Sequence, residues 1–208
     1  MIYDEEKAFG IKYCIWKPND FKQSEKYPVI FFTHGAGSRG DDLNIIQNHP
    51  IINKITSRER NAIIVAPQCS QNSWFDCFGN LIELAETIYN FPYINKNRFY
   101  GVGVSMGGYA MFQLMESRPD IFAAGIICCG GGMYWNAERL KYIRLKLFHG
   151  EKDTVVYPEE SRRMYEKIID FGGMAEITIY PECDHNCWDK TFNNNENISW
   201  LLEQVKVK

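Results

Sequence analysis

Along the chain one pattern recurs: a short run of β-branched or aromatic residues, a cluster of glycine or turn residues, then a longer stretch with apolar positions at helical spacing. Seven such runs predict strands at 11–16 (IKYCIW), 29–33 (VIFFT), 62–66 (AIIVA), 98–104 (RFYGVGV), 124–129 (AGIICC), 145–149 (LKLFH) and 175–180 (AEITIY). Several are almost continuously apolar, the pattern of strands covered on both faces, which predicts a parallel sheet between helical layers. Leu81, Leu84, Ala85 and Ile88 fall at i, i+3, i+4 and i+7, and Ile198, Leu201, Leu202 and Val205 repeat the spacing with asparagines just ahead as N-caps. The stretch YAMFQLM at 109–115 is apolar almost all round and predicts a central, buried helix. The alternation implies an α/β fold, doubly wound, with a mostly parallel central sheet and helices on both faces. Neither a repeat nor a linker interrupts it, so residues 1–208 are expected to form a single domain.

Composition narrows the partners. Hydrophobic residues make up 45% and charged residues 24%, and a net charge of -3 gives no electrostatic footprint for nucleic acid, which leaves a small molecule as the expected partner. The opening MIYDEEKAFG is acidic where a signal peptide is basic, and no stretch approaches the apolar length of a membrane span. These features predict a cytoplasmic protein without membrane association, whose seven cysteines are reduced by default. Their odd number leaves room for one bridge, such as Cys69 with Cys77.

The chemistry concentrates where a strand pattern meets a helix pattern. Gly103-Val104-Ser105-Met106-Gly107 is a G-x-S-x-G between strand and helix, the context of a nucleophile elbow. A serine on so sharp a turn is strained, and side chains two residues to either side would collide with the adjoining strand and helix, hence the glycines. A serine hydroxyl needs a base, and the base a carboxylate to fix its tautomer. Of the four histidines only His149 and His185 follow Ser105. His149 ends an apolar strand, where a packing or hydrogen-bonding role is expected, whereas His185 lies in a polar loop at the sheet's carboxyl edge and is the candidate base. Asp153 follows strand 145–149 by a short turn at the same edge and is the candidate carboxylate.

A tetrahedral intermediate needs two N–H donors for its oxyanion. Met106, next to the serine at a helix start, offers one, and the glycine-rich turn His34-Gly35-Ala36-Gly37 after strand 29–33 offers the other, assigned to Ala36. No metal is expected, because Cys183, Asp184, His185 and Cys187 crowd one loop without further ligands for a tetrahedral site, and no cofactor motif is present. Trp74, Trp135 and Trp188 lie in expected sheet-edge loops and are candidate pocket walls, and GGMYWNAERLKYI (131–143) is a candidate short lid.

The segments THGAGSRG, APQCSQNSW, GVSMGGYA, FHGEKDTVV and DHNCWDKTF together resemble the α/β-hydrolase superfamily. The resemblance is to small esterases and predicted peptidases of the dienelactone hydrolase, phospholipase/carboxylesterase and prolyl oligopeptidase-like group, and runs from about residue 28 onward. It implies an α/β-hydrolase fold with little or no cap. It also implies a Ser105, Asp153, His185 triad, Ala36 and Met106 as oxyanion donors, and serine esterase activity on small or medium acyl esters. A peptidase or amidase with the same triad, or a non-catalytic binding module on the same scaffold, are the alternatives. Dienelactone hydrolases carry cysteine where this chain has Ser105, which argues against dienelactone as substrate.

Overall fold

Eight strands form one sheet in the computed structural model, which describes residues 1–59 and 61–207. They are β1 (Ile2–Ala8), β2 (Ile11–Lys17), β3 (Tyr27–Thr33), β4 (Ile63–Gln68), β5 (Ile94–Val104), β6 (Ala124–Cys128), β7 (Arg144–Gly150) and β8 (Met174–Tyr180), in the order β1-β2-β4-β3-β5-β6-β7-β8. β2 runs antiparallel to β1 and β4, and all other pairs are parallel. The seven sequence-predicted runs fall on β2 to β8. β1 was not expected, because IYDEEKA is an edge strand without an apolar run. It is folded back on β2 through Phe9 and Gly10, both at positive φ (52° and 78°), the geometry of a tight hairpin turn.

Alternation within the strands builds the layers. In β3, Val29 and Phe31 pack with α3 (Phe78–Asn90), α4 (Met106–Ser117) and α5 (Glu159–Asp170), while Ile30 and Phe32 pack into the opposite core. That second layer holds α1 (Leu43–Gln47), α2 (Pro50–Arg58), α6 (Trp188–Asn193) and α7 (Asn195–Glu203). Asn194 caps α7 by accepting from Glu196 N. The helix stops at Glu203, so Val205, expected on its apolar face, lies beyond it and is 51% exposed. All seven cysteines are free, Cys69 and Cys77 included. Among the described residues no helix is long and apolar enough to cross a membrane.

α4 is the central buried helix. β5 turns Phe99 to the α4 layer and Tyr100, Val102 and Val104 to the other, so Gly101 and Gly103 face α4. A Cβ at Gly101 would meet Met115 Cε at 2.5 Å, so the helix rests directly on the strand. Met111, Phe112, Leu114 and Met115 are completely buried, which contributes about 1.5–3 kcal/mol each before entropy is counted.

The far end of α4 carries an unusual charge. Glu116 is fully buried, and neither carboxylate oxygen has a hydrogen-bond partner among the described residues. Burial raises its pKa to about 7, with Asn136 and Arg139 near enough to offset only part of that cost. A carboxyl group raised in this way favours folding fully below its ordinary pKa and loses that contribution as pH climbs through the folded value. Urea titrations from pH 5 to pH 8 should therefore show wild-type stability falling relative to Glu116→Gln by about 2 to 3 kcal/mol. A constant difference across that range would show that Glu116 is ionised throughout.

Candidate active site

The turn from β5 into α4 places Ser105 at the carboxyl edge of the sheet. Its backbone has φ 54° and ψ −125°, a conformation that costs a non-glycine residue of order 1–3 kcal/mol and that surrounding packing must hold. The flanking glycines show how. A Cβ on Gly103 would sit 2.5 Å from Gly107 O and 2.8 Å from Met111 Cβ, and one on Gly107 would overlap the Thr33 carbonyl and come within 2.6 Å of His34 O. Thr33 Oγ1 donates to Gly107 O at 2.7 Å, tying the end of β3 to the first turn of α4. Ser105 is the N-cap of α4 but makes no side-chain cap bond, so its hydroxyl is free to point elsewhere.

It points to His185. Ser105 Oγ lies 2.8 Å from His185 Nε2, and His185 Nδ1 lies 2.7 Å from Asp153 Oδ2. A carboxylate only accepts, so the ring proton belongs on Nδ1, leaving Nε2 to accept from the serine hydroxyl. Asp153 is only 2% exposed. Its Oδ1 accepts from the amides of Val155 and Val156, each at 2.9 Å, and its Oδ2 also faces His149 Nε2 at 3.2 Å. Burial opposes its charge, but the His185 bond and the two amides outweigh that and hold its pKa below the ordinary carboxylate value.

His149 is fully buried at the end of β7, bound through Nδ1 to Ser161 Oγ (2.7 Å) and through Nε2 to Val156 O (2.8 Å) as well as Asp153. The packing or hydrogen-bonding role expected for it at a strand end does not include the candidate carboxylate that the structure makes its partner. The apolar run before it gave the burial, but the partner depends on how the loop 151–157 folds back.

Ala36 and Met106 are each the first residue of a helical segment, Ala36 of the single 3-10 turn Ala36–Ser38 and Met106 of α4. First-turn N–H groups have no partner within their helix, and neither of these has a backbone acceptor elsewhere among the described residues. Gly35 brings the two turns together, since a Cβ on it would lie 3.3 Å from Ser105 Cβ. The Ala36 turn is braced from behind. His34 Nε2 accepts from Cys69 N, Trp74 Nε1 donates to His34 O, and Arg39 Nε donates to Ala36 O, at 3.0, 3.0 and 2.9 Å. Burial lowers the His34 pKa to about 4, so its ring is neutral, which suits an accepting Nε2.

A cavity of about 340 Å³ opens beside Ser105, with Ala36, His49, Val155, His185 and Trp188 in its walls. The three tryptophans therefore part company. Trp188 lines the cavity and meets His185 edge-on, ring centroids 5.4 Å apart. Trp74 is fully buried beneath the Ala36 turn, because its indole N–H is drawn to His34 O, and it lines no wall. Trp135 is 65% exposed on the 3-10 segment Tyr134–Leu140, away from the cavity. No residue of 131–143 lines the Ser105 cavity. Gly132 and Met133 instead border a separate groove of about 450 Å³ shared with Phe75, Phe78, Tyr109 and Gln113.

One cluster resembles a metal site: donor atoms of Cys129, Asp153 and His185 lie within 4.8 Å of one another. They are already committed, His185 Nδ1 to Asp153 and Cys129 Sγ to the His185 carbonyl at 3.2 Å, so the set serves the hydrogen-bonded line. Cys129, the last residue of the predicted strand 124–129, lies past the end of β6 at positive φ (42°) and props the His185 loop through its thiol.

Residues 69–135 match the prolyl oligopeptidase family. The chain is 22% identical over 193 residues to a probable feruloyl esterase C of Aspergillus niger, covering 88% of this chain and 70% of that protein. It is 21% identical to dipeptidyl-peptidase 5 of Porphyromonas gingivalis, covering 81% of this chain and 32% of that protein. The crystal structure of a thermostable esterase superposes with a TM-score of 0.82 at 30% identity, over 99% of this chain and 63% of the esterase. The chain thus spans less than two thirds of that esterase and about a third of the peptidase.

The glycine contacts carry a stability prediction. Gly107→Ala must push α4 off the end of β3 and should cost about 1–3 kcal/mol or more in urea unfolding. Gly79→Ala, where a Cβ meets nothing within 4 Å, should be near neutral. Equal effects of the two would show that the close approach at Gly107 is not a constraint.

Proposed function

The chain belongs to the α/β-hydrolase superfamily, with relatives in its prolyl oligopeptidase-like group, and from that premise we propose that it is a serine hydrolase that cleaves carboxylic esters of small or medium acids. The observation that carries the proposal is the unbroken line from Ser105 Oγ, in the wall of a cavity, through His185 to the buried Asp153, with the uncommitted amides of Ala36 in the same wall and of Met106 next to the serine. Ser105 Oγ attacks the ester carbonyl carbon as its proton passes to His185 Nε2, and Asp153 stabilises the resulting imidazolium. The carbonyl oxygen, now an oxyanion, accepts from Ala36 N–H and Met106 N–H, with the positive end of α4 behind it. Collapse breaks the bond to the alcohol oxygen, which takes the proton from His185 Nε2 and leaves the acyl group on Ser105. Water, deprotonated by the same nitrogen, then releases the acid.

Esters of apolar acids are favoured over aminoacyl substrates by the apolar lining proposed for the acyl side, Phe75, Phe78, Gly132 and Met133. The acyl chain is assigned to the apolar groove along α4, whose wall residue Tyr109 lies one helical turn after Ser105. Two relatives named feruloyl esterase and a structural neighbour named esterase support the same choice.

The oxyanion donor can be removed with little disturbance elsewhere. Gly35 is extended (φ −75°, ψ 174°), which a following proline accepts, and proline is well tolerated at the first helical position. Ala36→Pro should keep the fold by circular dichroism and lower kcat by about 10²–10³. An unchanged kcat would take Ala36 out of the reaction.

Substrate class is decided by rates on p-nitrophenyl acetate and butyrate against aminoacyl anilides. Esters should turn over faster, with both activities absent in Ser105→Ala. Faster anilide cleavage would make the protein a peptidase.

A further inference from the structure

His49 precedes Ser105 in the chain, out of the order a triad base requires, yet the structure brings it into the same cavity. It is the N-cap of α2, and its Nδ1 accepts from Ile51 N at 3.3 Å. With Nδ1 accepting, the proton of the neutral ring sits on Nε2. Burial lowers the His49 pKa to about 4, against a weaker opposing pull from Asp189, so the ring is neutral near pH 7. Asp189 makes no hydrogen bond to the His49 ring and is turned to other donors. One of its oxygens takes Lys54 Nζ at 3.0 Å and the other Asn186 Nδ2 at 2.8 Å. Among the described residues no hydrogen-bond acceptor meets His49 Nε2, nor is it among the buried polar atoms left without a partner. The N–H is therefore accessible, and the space open to it is the cavity.

The reaction supplies the direction of this space. The leaving oxygen must come within reach of His185 Nε2 to be protonated. The alcohol portion of an ester therefore departs on the side walled by His185 and Trp188, and His49 lines the same cavity. We propose that the region between His49 and Trp188 is the subsite for the leaving alcohol, and that His49 Nε2–H donates to an acceptor oxygen borne by that alcohol. The substrates it fits are esters of hydroxyalkyl or alkoxyalkyl alcohols in preference to plain alkyl alcohols. Ala36, Val104, Val155 and Trp188 present apolar surface in the same cavity as the His49 donor, which suits a short chain with an oxygen among methylenes. A histidine here does more than a cap requires, since asparagine, aspartate or serine would receive the Ile51 amide equally well. This assignment rests on the serine esterase reading above.

The test uses two esters of butyric acid that differ by one group, n-butyl and 2-methoxyethyl, in which a methylene becomes an ether oxygen. The ratio of kcat/KM for methoxyethyl over butyl is measured in wild type, His49→Phe and His49→Asn. Phenylalanine keeps the ring's bulk without the donor. Asparagine keeps the helix cap and withdraws from the cavity, so one variant remains informative if loss of the cap unfolds the other. Both are expected to lower the ratio about three- to tenfold, the worth of one neutral hydrogen bond, while a fluorophosphonate still labels Ser105 at the wild-type rate. An unchanged ratio with labelling intact overturns the His49 subsite alone. Failure of the wild-type protein to label overturns the hydrolase reading on which it rests.

Discussion

The closeness of α4 to the ends of β3 and β5 is the constraint on which the site depends. At Gly103 and Gly107 two backbone segments meet with no room for a Cβ, and the Thr33 hydroxyl binds the first turn of the helix where it touches β3. Because the helix cannot retreat, the turn between them is forced sharp, and Ser105 takes a positive φ. Strain of that size persists only where surrounding structure over-determines it. Here the surrounding structure is the fully buried side of α4, with Met111 and Met115 set against the glycine face of β5. Core packing and the presentation of a single hydroxyl are thus one problem with one solution.

A second buried group completes the arrangement from the other side of the edge. Asp153 has four donors around its two oxygens, from Val155, Val156, His185 and His149, which matches the capacity of an ionised carboxylate. A charge out of water is costly unless satisfied in this way. Once satisfied, it fixes the tautomer of His185 and makes Nε2 the basic nitrogen. The contrast with Glu116 is instructive. Both carboxylates are buried, but one is ringed by donors and held charged while the other lacks them and is driven toward the neutral form. Environment, and not residue type, separates their roles.

Much of this arrangement was legible in the sequence, because close approach and chain order leave marks there. Glycines at 103 and 107 on either side of a serine, a strand before and a helix after, and Asp153 and His185 in later loops sufficed to nominate the side chains that the structure brings into one hydrogen-bonded line. What escaped depends on tertiary contacts without a periodic signature. β1 is held by pairing with β2 and not by its own apolar pattern. His149 owes its partners to loop 151–157 and His49 its place to the start of α2, and nothing in their neighbours' hydrophobicity points to a carboxylate or a cavity. The tryptophans show the same limit. All three were placed in loops near the sheet edge, but direction within a loop is set by which acceptor the indole finds. Trp74 found the His34 carbonyl and became a strut, Trp135 faces solvent, and Trp188 stands against His185.

The central claim is that Ser105 carries the acyl group between two half-reactions. The most direct measurement is a rapid-mixing experiment with p-nitrophenyl butyrate, followed by acid quench and peptide mass mapping. The account predicts a burst approaching one nitrophenol per chain, with one butyryl group on the peptide that contains Ser105 and none in Ser105→Ala. Turnover with no burst and no acylated peptide under conditions that trap intermediates, or a butyryl group on any other residue, would contradict it.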